Sequence, residues 1–268
     1  MSSLLAVAWV VWPFVIAGGL AAAVLLLILG LRLRGRHVLA SVLAAQPPAA
    51  RCVREPRLTF VCPVTKPAVA ADLLLAGLDD LNEPAERILY DNTGGRALVA
   101  ARLFNVLAPE VRTEYVAFCH QDWRPLDRDW IARTLAVFEA HPACEMVAQI
   151  GIAADKRTFA GRIVKTFGYM GRAGSHLLHA PDEICFVLRT ARVREWPFDE
   201  AHLPEFHYYA VDYAYELQRR GLEVWSTPAL GYHGKSLGAV WSHDFRRARK
   251  ILRTKYGPRM VRAPTGWI

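Results

Sequence analysis

Three polar residues follow a strongly apolar run in this 268-residue chain, and they are the residues best placed to do chemistry. Residues 115–119 are almost wholly apolar, as in a strand covered on both faces, and His120, Gln121 and Asp122 come directly after them. Ligands bind at the carboxyl ends of the strands in open α/β sheets, so this triplet is a candidate ligand site. The alternative is a strand-to-loop turn in which Asp122 caps the following backbone.

The elements that must position this triplet alternate between strand and helix. The predicted order is strand 58–64, helix 72–81, strand 87–90, helix 96–107 and strand 113–119. This alternation, with connections of a few residues, predicts a parallel sheet with right-handed crossovers. The ends of the first three strands, near Pro63, Asp91 and Asp122, are therefore expected to line one edge of the sheet.

The second half of the chain continues this pattern with one interruption. The predicted elements are helix 130–140, strand 145–150, strand 183–188, helix 209–220, strand 222–227 and a glycine-flanked turn at 231–234. Residues 151–181 are rich in Gly, Arg, Lys and His, and their length predicts a functional loop or lid. Apolar residues at helical spacing across 241–256 predict a last helix, whose basic face is either solvated or directed at a membrane surface.

The N-terminal segment differs from the rest of the chain. Residues 4–31 contain no charged residue, Asn, Gln or His, which predicts a transmembrane helix, because about 20 apolar residues cross a bilayer. A cleaved signal peptide is the alternative, but the first three residues carry no basic side chain. Arg32, Arg34 and Arg36 follow the span, so the positive-inside rule places the rest of the chain in the cytoplasm.

Composition and chain breaks suggest four regions. These are an anchor with its basic flank at 1–37, a proline-interrupted linker at 38–56, one α/β domain at 57–257 and a tail at 258–268. The net charge of +8 suits an anionic membrane surface or an anionic ligand. No zinc-finger, helix-turn-helix or aromatic RNA-binding pattern indicates a nucleic-acid partner. The five cysteines lie mostly in apolar runs, which predicts reduced core residues rather than disulfides.

Four short motifs, taken in order, resemble those of a known enzyme family. They are Phe118-Cys-His-Gln-Asp-Trp123, Pro197-Phe-Asp-Glu200, Phe206-His-Tyr-Tyr-Ala-Val-Asp212 and Gly231-Tyr-His-Gly234. Together they resemble nucleotide-sugar glycosyltransferases of the type-A fold, and more narrowly the family 2-like group with His-Gln-Asp in place of Asp-x-Asp. The resemblance runs from about residue 58 to 238. It implies a Rossmann-like, mostly parallel sheet flanked by helices, here preceded by the predicted transmembrane helix.

The resemblance also implies a divalent metal, Mn or Mg, that compensates the charge of the leaving diphosphate. Asp122 is the implied ligand, and His233 is a second, because the family has a similar late histidine turn. His120 lies two residues before Asp122 and projects to the same side if the strand continues that far. The motif has one carboxylate, and one carboxylate plus substrate phosphates is a normal arrangement for Mg²⁺.

The remaining site residues follow from the same comparison. Positions matching Pro63, Thr65 and Asp91 surround the nucleotide in the resembled enzymes, and Asp122 lies beside the donor. The alternative for Asp91 is that the segment 91–95 is only a turn. Asp212 is the candidate base for the acceptor hydroxyl, unless it is an acidic residue that merely stabilises a helix N-terminus. The candidates for contact with the acceptor sugar are His207, Tyr208, Tyr209 and Asp182. A single base and no evident nucleophile predict inversion at the anomeric carbon.

These inferences predict a glycosyltransferase anchored by one span in the cell (inner) membrane, with its catalytic domain in the cytoplasm. Its partners would be a nucleotide-sugar donor and an acceptor that is a lipid-linked or envelope glycan, and no nucleic acid. Two alternatives belong to other classes. One is a catalytically inactive domain of the same fold that acts as a membrane-bound sugar-nucleotide sensor or scaffold; the other is a basic membrane-surface adaptor without a small-molecule site.

Overall fold

A computed structural model of the chain describes residues 2–46, 50, 52–94, 97–165, 168–203, 206–234, 243–257, 262–264 and 266–267. The side chains of residues 2–19, 32, 35, 266 and 267 lie outside the described part. The helices are α1 (Ser2–Ala44), α2 (Pro67–Val69), α3 (Ala76–Asp79), α4 (Ala100–Leu107), α5 (Trp130–Ala140), α6 (Thr190–Glu195), α7 (Tyr209–Arg219) and α8 (His243–Tyr256). A π-helix, Ala70–Leu75, joins α2 to α3, and a 3-10 turn, Ala108–Glu110, follows α4.

The strands form one large sheet and three small ones. The strands of the large sheet are β1 (Leu58–Val64), β2 (Glu86–Asp91), β3 (Tyr115–Cys119), β5 (Cys144–Ala148), β11 (Cys185–Arg189) and β12 (Glu223–Ser226). Those of the small sheets are β4 (Trp123–Pro125), β6 (Gly151–Ala153), β7 (Phe159–Ala160), β8 (Arg162–Lys165), β9 (Gly168–Met170), β10 (Leu178–Pro181), β13 (Leu230–His233), β14 (Arg262–Ala263) and β15 (Gly266–Trp267).

The large sheet has the strand order β12-β5-β11-β3-β1-β2. Within the described part of the chain, β11 is antiparallel to both of its neighbours, and the other neighbouring pairs are parallel. The predicted mostly parallel sheet is therefore confirmed, with β11 as a reversed strand. A strand in this position can be reversed because the chain passes from β5 to β11 through the short strands of 151–181 and not through a crossover helix.

Helices cover both faces of the large sheet, so its strands are buried on both sides. Along β1, Val61 belongs to one apolar cluster, and Phe60 and Cys62 belong to the other, as the alternation of side chains along a strand requires. The first cluster contains residues of α4 and α7, and the second contains residues of α5 and of the π-helix. This burial on both faces explains the near-continuous apolar runs of the sequence.

The segment 151–181, predicted as a loop or lid, instead contributes strands to two small sheets. Strands β6, β7 and β10 form a three-stranded sheet, and β8 and β9 join β13 and β4 in a four-stranded sheet. Likewise, the predicted turn at 231–234 is largely strand β13, which pairs antiparallel with β4. These predictions were wrong because the strands are only two to four residues long, too short for a clear alternation of apolar and polar residues.

Gln149 attaches the four-stranded sheet to the large one. Its side chain is almost completely buried, and its Oε1 accepts hydrogen bonds from the indole N–H groups of Trp123 (3.3 Å) and Trp130 (3.0 Å). Its Nε2 donates to the carbonyl oxygens of Arg162 (2.8 Å) and Ala229 (2.9 Å). All four hydrogen-bonding capacities of this amide are used, so Gln149 orients the two sheets without leaving a buried polar atom unpaired.

Two predicted boundaries shift for identifiable reasons. The helix predicted at 96–107 begins at Ala100, and Arg96 lies outside the described residues. Asn92 accepts a hydrogen bond from the backbone N–H of Leu98 (2.7 Å) and donates to its carbonyl (3.1 Å), which holds this stretch out of the helix. The helix predicted at 72–81 begins earlier, at Pro67, because proline suits the first helical position.

The N-terminal helix extends further than predicted. Residues 38–44, predicted as part of the linker, are the last turns of α1, and their apolar side chains pack against Leu126, Val164, Leu230 and Tyr232. The linker therefore begins after Ala44. Among the residues whose structure is described, no helix combines the length and apolar character that crossing a membrane requires. Residues 4–19 of the predicted span have side chains outside that set.

Candidate functional site

The carboxyl ends of β1, β2 and β3 lie side by side, as predicted. Val64 at the end of β1 pairs with Asp91 at the end of β2, and β3 pairs with β1 on its other side. Gln121, directly after β3, accepts hydrogen bonds from the backbone N–H groups of Thr65 (3.0 Å) and Lys66 (2.7 Å) and donates to the Thr65 hydroxyl (2.8 Å). Gln121, the middle residue of the triplet, therefore holds the residues after β1 next to the residues after β3.

His120, Asp122 and His233 come together at this edge. One ligand atom from each residue lies within 4.8 Å of the others, and the Nε2 of His233 is 3.3 Å from Oδ1 of Asp122. Strand pairing explains the approach: His233 ends β13 opposite Trp123 of β4, and the backbone N–H of Gly234 donates to the carbonyl of Asp122 (2.8 Å). The structure thus brings the three predicted metal ligands into one group.

The electrostatics of this group suit a cation. Burial, followed by the neighbouring His233, lowers the pKa of His120 to about 4, so the neutral imidazole, which can offer a lone pair to a metal, is favoured at pH 7. Burial acts to raise the pKa of Asp122, but the hydrogen bond with His233 and the two imidazoles outweigh it and lower the pKa. The Nδ1 of His233 is buried and has no hydrogen-bond partner among the described residues.

These three side chains fit a divalent transition metal better than Mg²⁺. Two imidazole nitrogens and one carboxylate oxygen form the donor set, and imidazole suits transition metals, whereas Mg²⁺ prefers oxygen. Ligand atoms about 2.1 Å from a shared ion lie roughly 3 Å apart, and the distance between His233 and Asp122 already approaches that value. Of the two predicted metals, Mn is therefore the better match.

Two of the residues predicted to contact the acceptor, Tyr209 and Asp182, are linked to His120 by hydrogen-bond contacts. The Tyr209 hydroxyl lies 3.4 Å from His120 Nε2 and 3.4 Å from the carbonyl of Glu183. The backbone N–H of His120 donates to the carbonyl of Ile184 (2.8 Å), and the N–H of Ile184 donates to Oδ1 of Asp182 (3.2 Å). The ring of His207 packs on Phe245, 5.4 Å between centroids. Tyr208 is buried and packs its ring on Phe245, 5.0 Å between centroids. Its φ of 65° is left-handed, a strained conformation for this residue type that often occurs at functional sites.

Glu183 is a site-flanking residue to which the sequence drew little attention. Its carboxyl meets the backbone N–H groups of residues 208–210 at the start of α7, which act to lower its pKa. Burial and the adjacent Asp182 outweigh these bonds and raise the pKa of Glu183 well above its usual range. Its Oε1 is buried without a partner among the described residues. The raised pKa disfavours the ionised form of Glu183, so this carboxyl is a poor candidate for the base that removes the acceptor proton.

Asp212, the predicted base, has no contact with the three-residue group. Its carboxylate accepts hydrogen bonds from Lys255 Nζ (2.9 and 3.1 Å) and from the Tyr256 hydroxyl (2.5 Å), both at the end of α8. Lys255 also binds Asp199 (2.9 Å). Burial raises the pKa of Asp212 despite these hydrogen bonds. The contacts make Asp212 a clamp between α7 and α8, so its catalytic role remains a prediction without a contact to support it.

The residues predicted to bind the donor occupy the edge formed by β1 and β2. Pro63 pairs with Tyr90 in the sheet, and Thr65 is held by Gln121 as described. The exposed carboxylate of Asp91 accepts a hydrogen bond from the Thr93 hydroxyl (2.7 Å). These contacts place Pro63, Thr65 and Asp91 near one another, and they leave the binding of a nucleotide there as a prediction.

Comparison with known proteins gives matches among solved structures. No family model matches the chain, and neither does any curated protein sequence. The mannosyltransferase PcManGT from Pyrobaculum calidifontis, in complex with GDP-Man and Mn²⁺, matches with a TM-score of 0.51 and 12% identity over 89% of this chain and 74% of that one. The type-A glycosyltransferase fold is thereby confirmed at the level of the fold.

Two further matches have TM-scores below 0.5. GalNAc-T7 with UDP, GalNAc and Mn²⁺ matches with a TM-score of 0.49 and 9% identity, over 75% of this chain and 48% of that one. A197 from STIV matches with a TM-score of 0.41 and 12% identity, over 67% of this chain and 86% of that one. This chain thus spans about half of the length of GalNAc-T7.

Proposed function

We propose that the chain is a glycosyltransferase that transfers a sugar from a nucleotide-sugar donor to an acceptor hydroxyl, with the help of a divalent metal. One observation carries this proposal: His120, Asp122 and His233 meet at the carboxyl edge of the sheet. The fold is shared with PcManGT, whose structure contains GDP-Man and Mn²⁺, and this supports the same reading. Membership of the narrower family 2-like group rests on the His-Gln-Asp motif.

Different residues of the chain would have different roles in such a reaction. His120, Asp122 and His233 would hold Mn²⁺, which offsets the charge of the departing diphosphate. Gln121 fixes the turn after β1, where the backbone of Thr65 and Lys66 borders the proposed nucleotide site. That contact maintains the spacing between the metal ligands and the nucleotide edge.

We propose Asp182, rather than Asp212, as the base that removes the acceptor proton. Asp182 is half-buried, and its Oδ2 lies 3.9 Å from Lys165 Nζ. Its Oδ1 accepts a hydrogen bond from the backbone N–H of Ile184 (3.2 Å), and the carbonyl of Ile184 accepts one from the backbone N–H of His120 (2.8 Å). The acceptor oxygen then displaces the diphosphate at the anomeric carbon. The bond between this carbon and the acceptor oxygen forms, and the bond between the same carbon and the diphosphate oxygen breaks, so the nucleoside diphosphate leaves. The hydroxyl proton moves to Asp182. A single displacement of this kind inverts the configuration.

We also propose that the chain is attached to the cell (inner) membrane, with the catalytic domain in the cytoplasm and a lipid-linked or envelope glycan as acceptor. The support comes from the uncharged run 4–31 and from the arginines at 32, 34 and 36. Alkaline carbonate extraction of membranes from cells that make the full chain tests the attachment. The chain is expected to stay in the membrane pellet, and its release into the supernatant would contradict the anchor.

The catalytic proposal is tested by calorimetry on the full chain with UDP and GDP, in Mn²⁺, Mg²⁺ or EDTA. We expect nucleotide binding that requires metal and is tighter with Mn²⁺. Asp122→Ala should weaken it by more than about tenfold, since even indirect partners of a metal site contribute that much. Asp72→Ala is the matched control, because Asp72 is exposed on the π-helix and makes no contact with the group.

The outcome separates the enzyme from the sensor or scaffold. Transfer or slow hydrolysis of a UDP- or GDP-sugar, lost in Asp182→Asn, supports the enzyme. Metal-dependent nucleotide binding with no turnover of any donor favours the sensor, an alternative motivated by the single carboxylate of the His-Gln-Asp motif. Equal nucleotide binding by Asp122→Ala and the unaltered chain would refute the proposed metal site.

A further inference from the structure

Helix α8 concentrates positive charge on one side. Its buried side consists of Phe245, Ala248, Leu252 and Tyr256, which pack against a cluster that includes Tyr208. On another side, Arg246, Arg249, Lys250 and Arg253 line one surface groove together with Thr254. We call Arg246, Lys250 and Arg253 the basic face. These three residues are spaced four and three positions apart, so they lie above one another on the helix.

The basic face lacks local compensation. Within the described residues, the side chains of Arg246, Lys250 and Arg253 make no hydrogen bond or ion pair. Asp244 is the single acidic residue in the sequence 243–257, and it lies 3.7 Å from His243. Like charges three or four positions apart destabilise a helix, so this arrangement has an energetic cost within the isolated chain.

The last two residues of α8, Lys255 and Tyr256, hold the helix in place against that repulsion. Lys255 binds Asp212 and Asp199, and the Tyr256 hydroxyl donates to Asp212 and to Glu216 (2.9 Å). The positive charges of the basic face are thus presented on a helix that is fixed by other contacts. Basic side chains that repel one another on a helix fixed in place are expected where a surface binds a polyanion.

We propose that the basic face of α8 binds the anionic surface of a phospholipid bilayer. Charge complementarity is the first argument, because each Lys or Arg near such a surface adds to the attraction. The second argument is apolar: α1 exposes Leu20, Leu25 and Leu26 by 69%, 67% and 67%. A bilayer offers partners both for leucines and for basic side chains, whereas a nucleic acid offers none for the leucines.

Contact of α8 with a bilayer would also place the candidate site beside the membrane. Phe245, in the first turn of α8, contacts His207 and Tyr208, with ring centroids 5.4 Å and 5.0 Å apart. A membrane-bound acceptor would then approach from the side of these residues. This consequence rests on the proposed function, but the binding of α8 to the bilayer does not.

The test compares two triple variants of residues 32–268 by flotation with vesicles, because the span proposed at 4–31 would hold the full chain on any vesicle. This length keeps the apolar side chains of residues 38–44 that pack on the domain. Arg246→Gln, Lys250→Gln and Arg253→Gln remove the basic face. The control carries Arg102→Gln, Arg112→Gln and Arg157→Gln, which removes the same charge at exposed positions elsewhere. Vesicles are either pure phosphatidylcholine or contain 30% phosphatidylglycerol, and each assay is repeated at high salt. Thermal unfolding of each variant verifies its folding.

We expect the basic-face variant to lose on the order of a hundredfold in affinity for the phosphatidylglycerol vesicles at low salt, from about fivefold per charge. Its affinity for phosphatidylcholine vesicles should equal that of the unaltered chain, and the control should match the unaltered chain in both. Equal losses in the two triple variants, or none in either, would overturn the proposal. Preferential binding to a double-stranded oligonucleotide over the anionic vesicles would overturn it in favour of nucleic acid.

Measuring nucleotide and metal binding by the basic-face variant separates the proposed glycosyltransferase activity from the proposed binding of α8 to a bilayer. If α8 binds the bilayer but the chain is not a glycosyltransferase, vesicle binding still depends on the basic face and no donor is turned over. If the chain is a glycosyltransferase but α8 binds no bilayer, the variant floats like the unaltered chain and retains metal-dependent nucleotide binding.

Discussion

Replacing Asp212 by asparagine distinguishes a helix clamp from a catalytic base. The substitution keeps the size of the side chain and an oxygen that can accept the hydrogen bond from Tyr256. It removes the negative charge that faces Lys255. We expect Asp212→Asn to lower the stability of the protein while leaving turnover within a few-fold, because Asp182 is the proposed base.

The size of the stability loss follows from the contacts. Breaking a buried ion pair costs about 3–5 kcal/mol when the remaining charge is left alone. Lys255, however, keeps Asp199 at 2.9 Å. Burial also raises the pKa of Asp212, so the lost hydration of its carboxylate outweighs the favourable contacts with Lys255 and Tyr256, and the loss falls below that range. We therefore expect a loss of about 1–2 kcal/mol, which lowers the Tm of a protein of this size by roughly 2–8 °C.

The assay measures thermal unfolding by circular dichroism and donor turnover at a temperature well below both Tm values. Asp72→Asn is the matched control, since Asp72 is exposed and should change neither quantity. Lys255→Met, alone and combined with Asp212→Asn, completes a double-mutant cycle. A direct contact predicts a coupling free energy of about 0.5–3 kcal/mol between the two substitutions.

A loss of turnover of a hundredfold or more, with an unchanged Tm, would refute this reasoning. A general base contributes on the order of 10²–10⁴-fold to the rate, so such a loss would establish Asp212 as the base. Asp182→Asn would in that case leave turnover nearly unchanged. Comparing Asp212→Asn with Asp182→Asn therefore shows which of the two aspartates is the catalytic base.

Three further predictions concern the residues that support the site. Gln149→Leu leaves two indole N–H groups and two carbonyls without partners and should lower the free energy of unfolding by about 3 kcal/mol or more, measured in urea. Gln121→Ala loosens the turn after β1 and should raise KM for the donor roughly three- to tenfold with little change in kcat, in steady-state kinetics. The pKa of His120 falls to about 4 in the folded state, below its usual 6.5. The unfolded state thus binds more protons between these values, and the stability of the metal-free protein should rise with pH from 4 to 6.5. Urea unfolding in EDTA should show this rise. His120→Gln should reduce it and leave the part that comes from His179 and His207, whose pKa values burial also lowers.

The sequence by itself determined the succession of strands and helices along the chain and the sheet edge at which Asp91 and Asp122 lie. Strands buried on both faces need long apolar runs, and residues 58–64 and 115–119 have them, so both strands and the polar ends at Asp91 and Asp122 could be read directly. Local patterns of this kind are sufficient because strand period and helix period differ clearly over five or more residues.

The tertiary structure alone decided which distant side chains meet. Asp212 lies early in a helix, as expected, but its partners Lys255 and Tyr256 lie more than forty residues further along the chain. Gln149 joins four segments, and no local pattern distinguishes it from an exposed glutamine. His233 reaches Asp122 because β13 pairs with β4, and strands this short carry too little alternation to predict their register. Such contacts depend on how segments pack across the fold, which a single sequence specifies only through the complete set of its interactions.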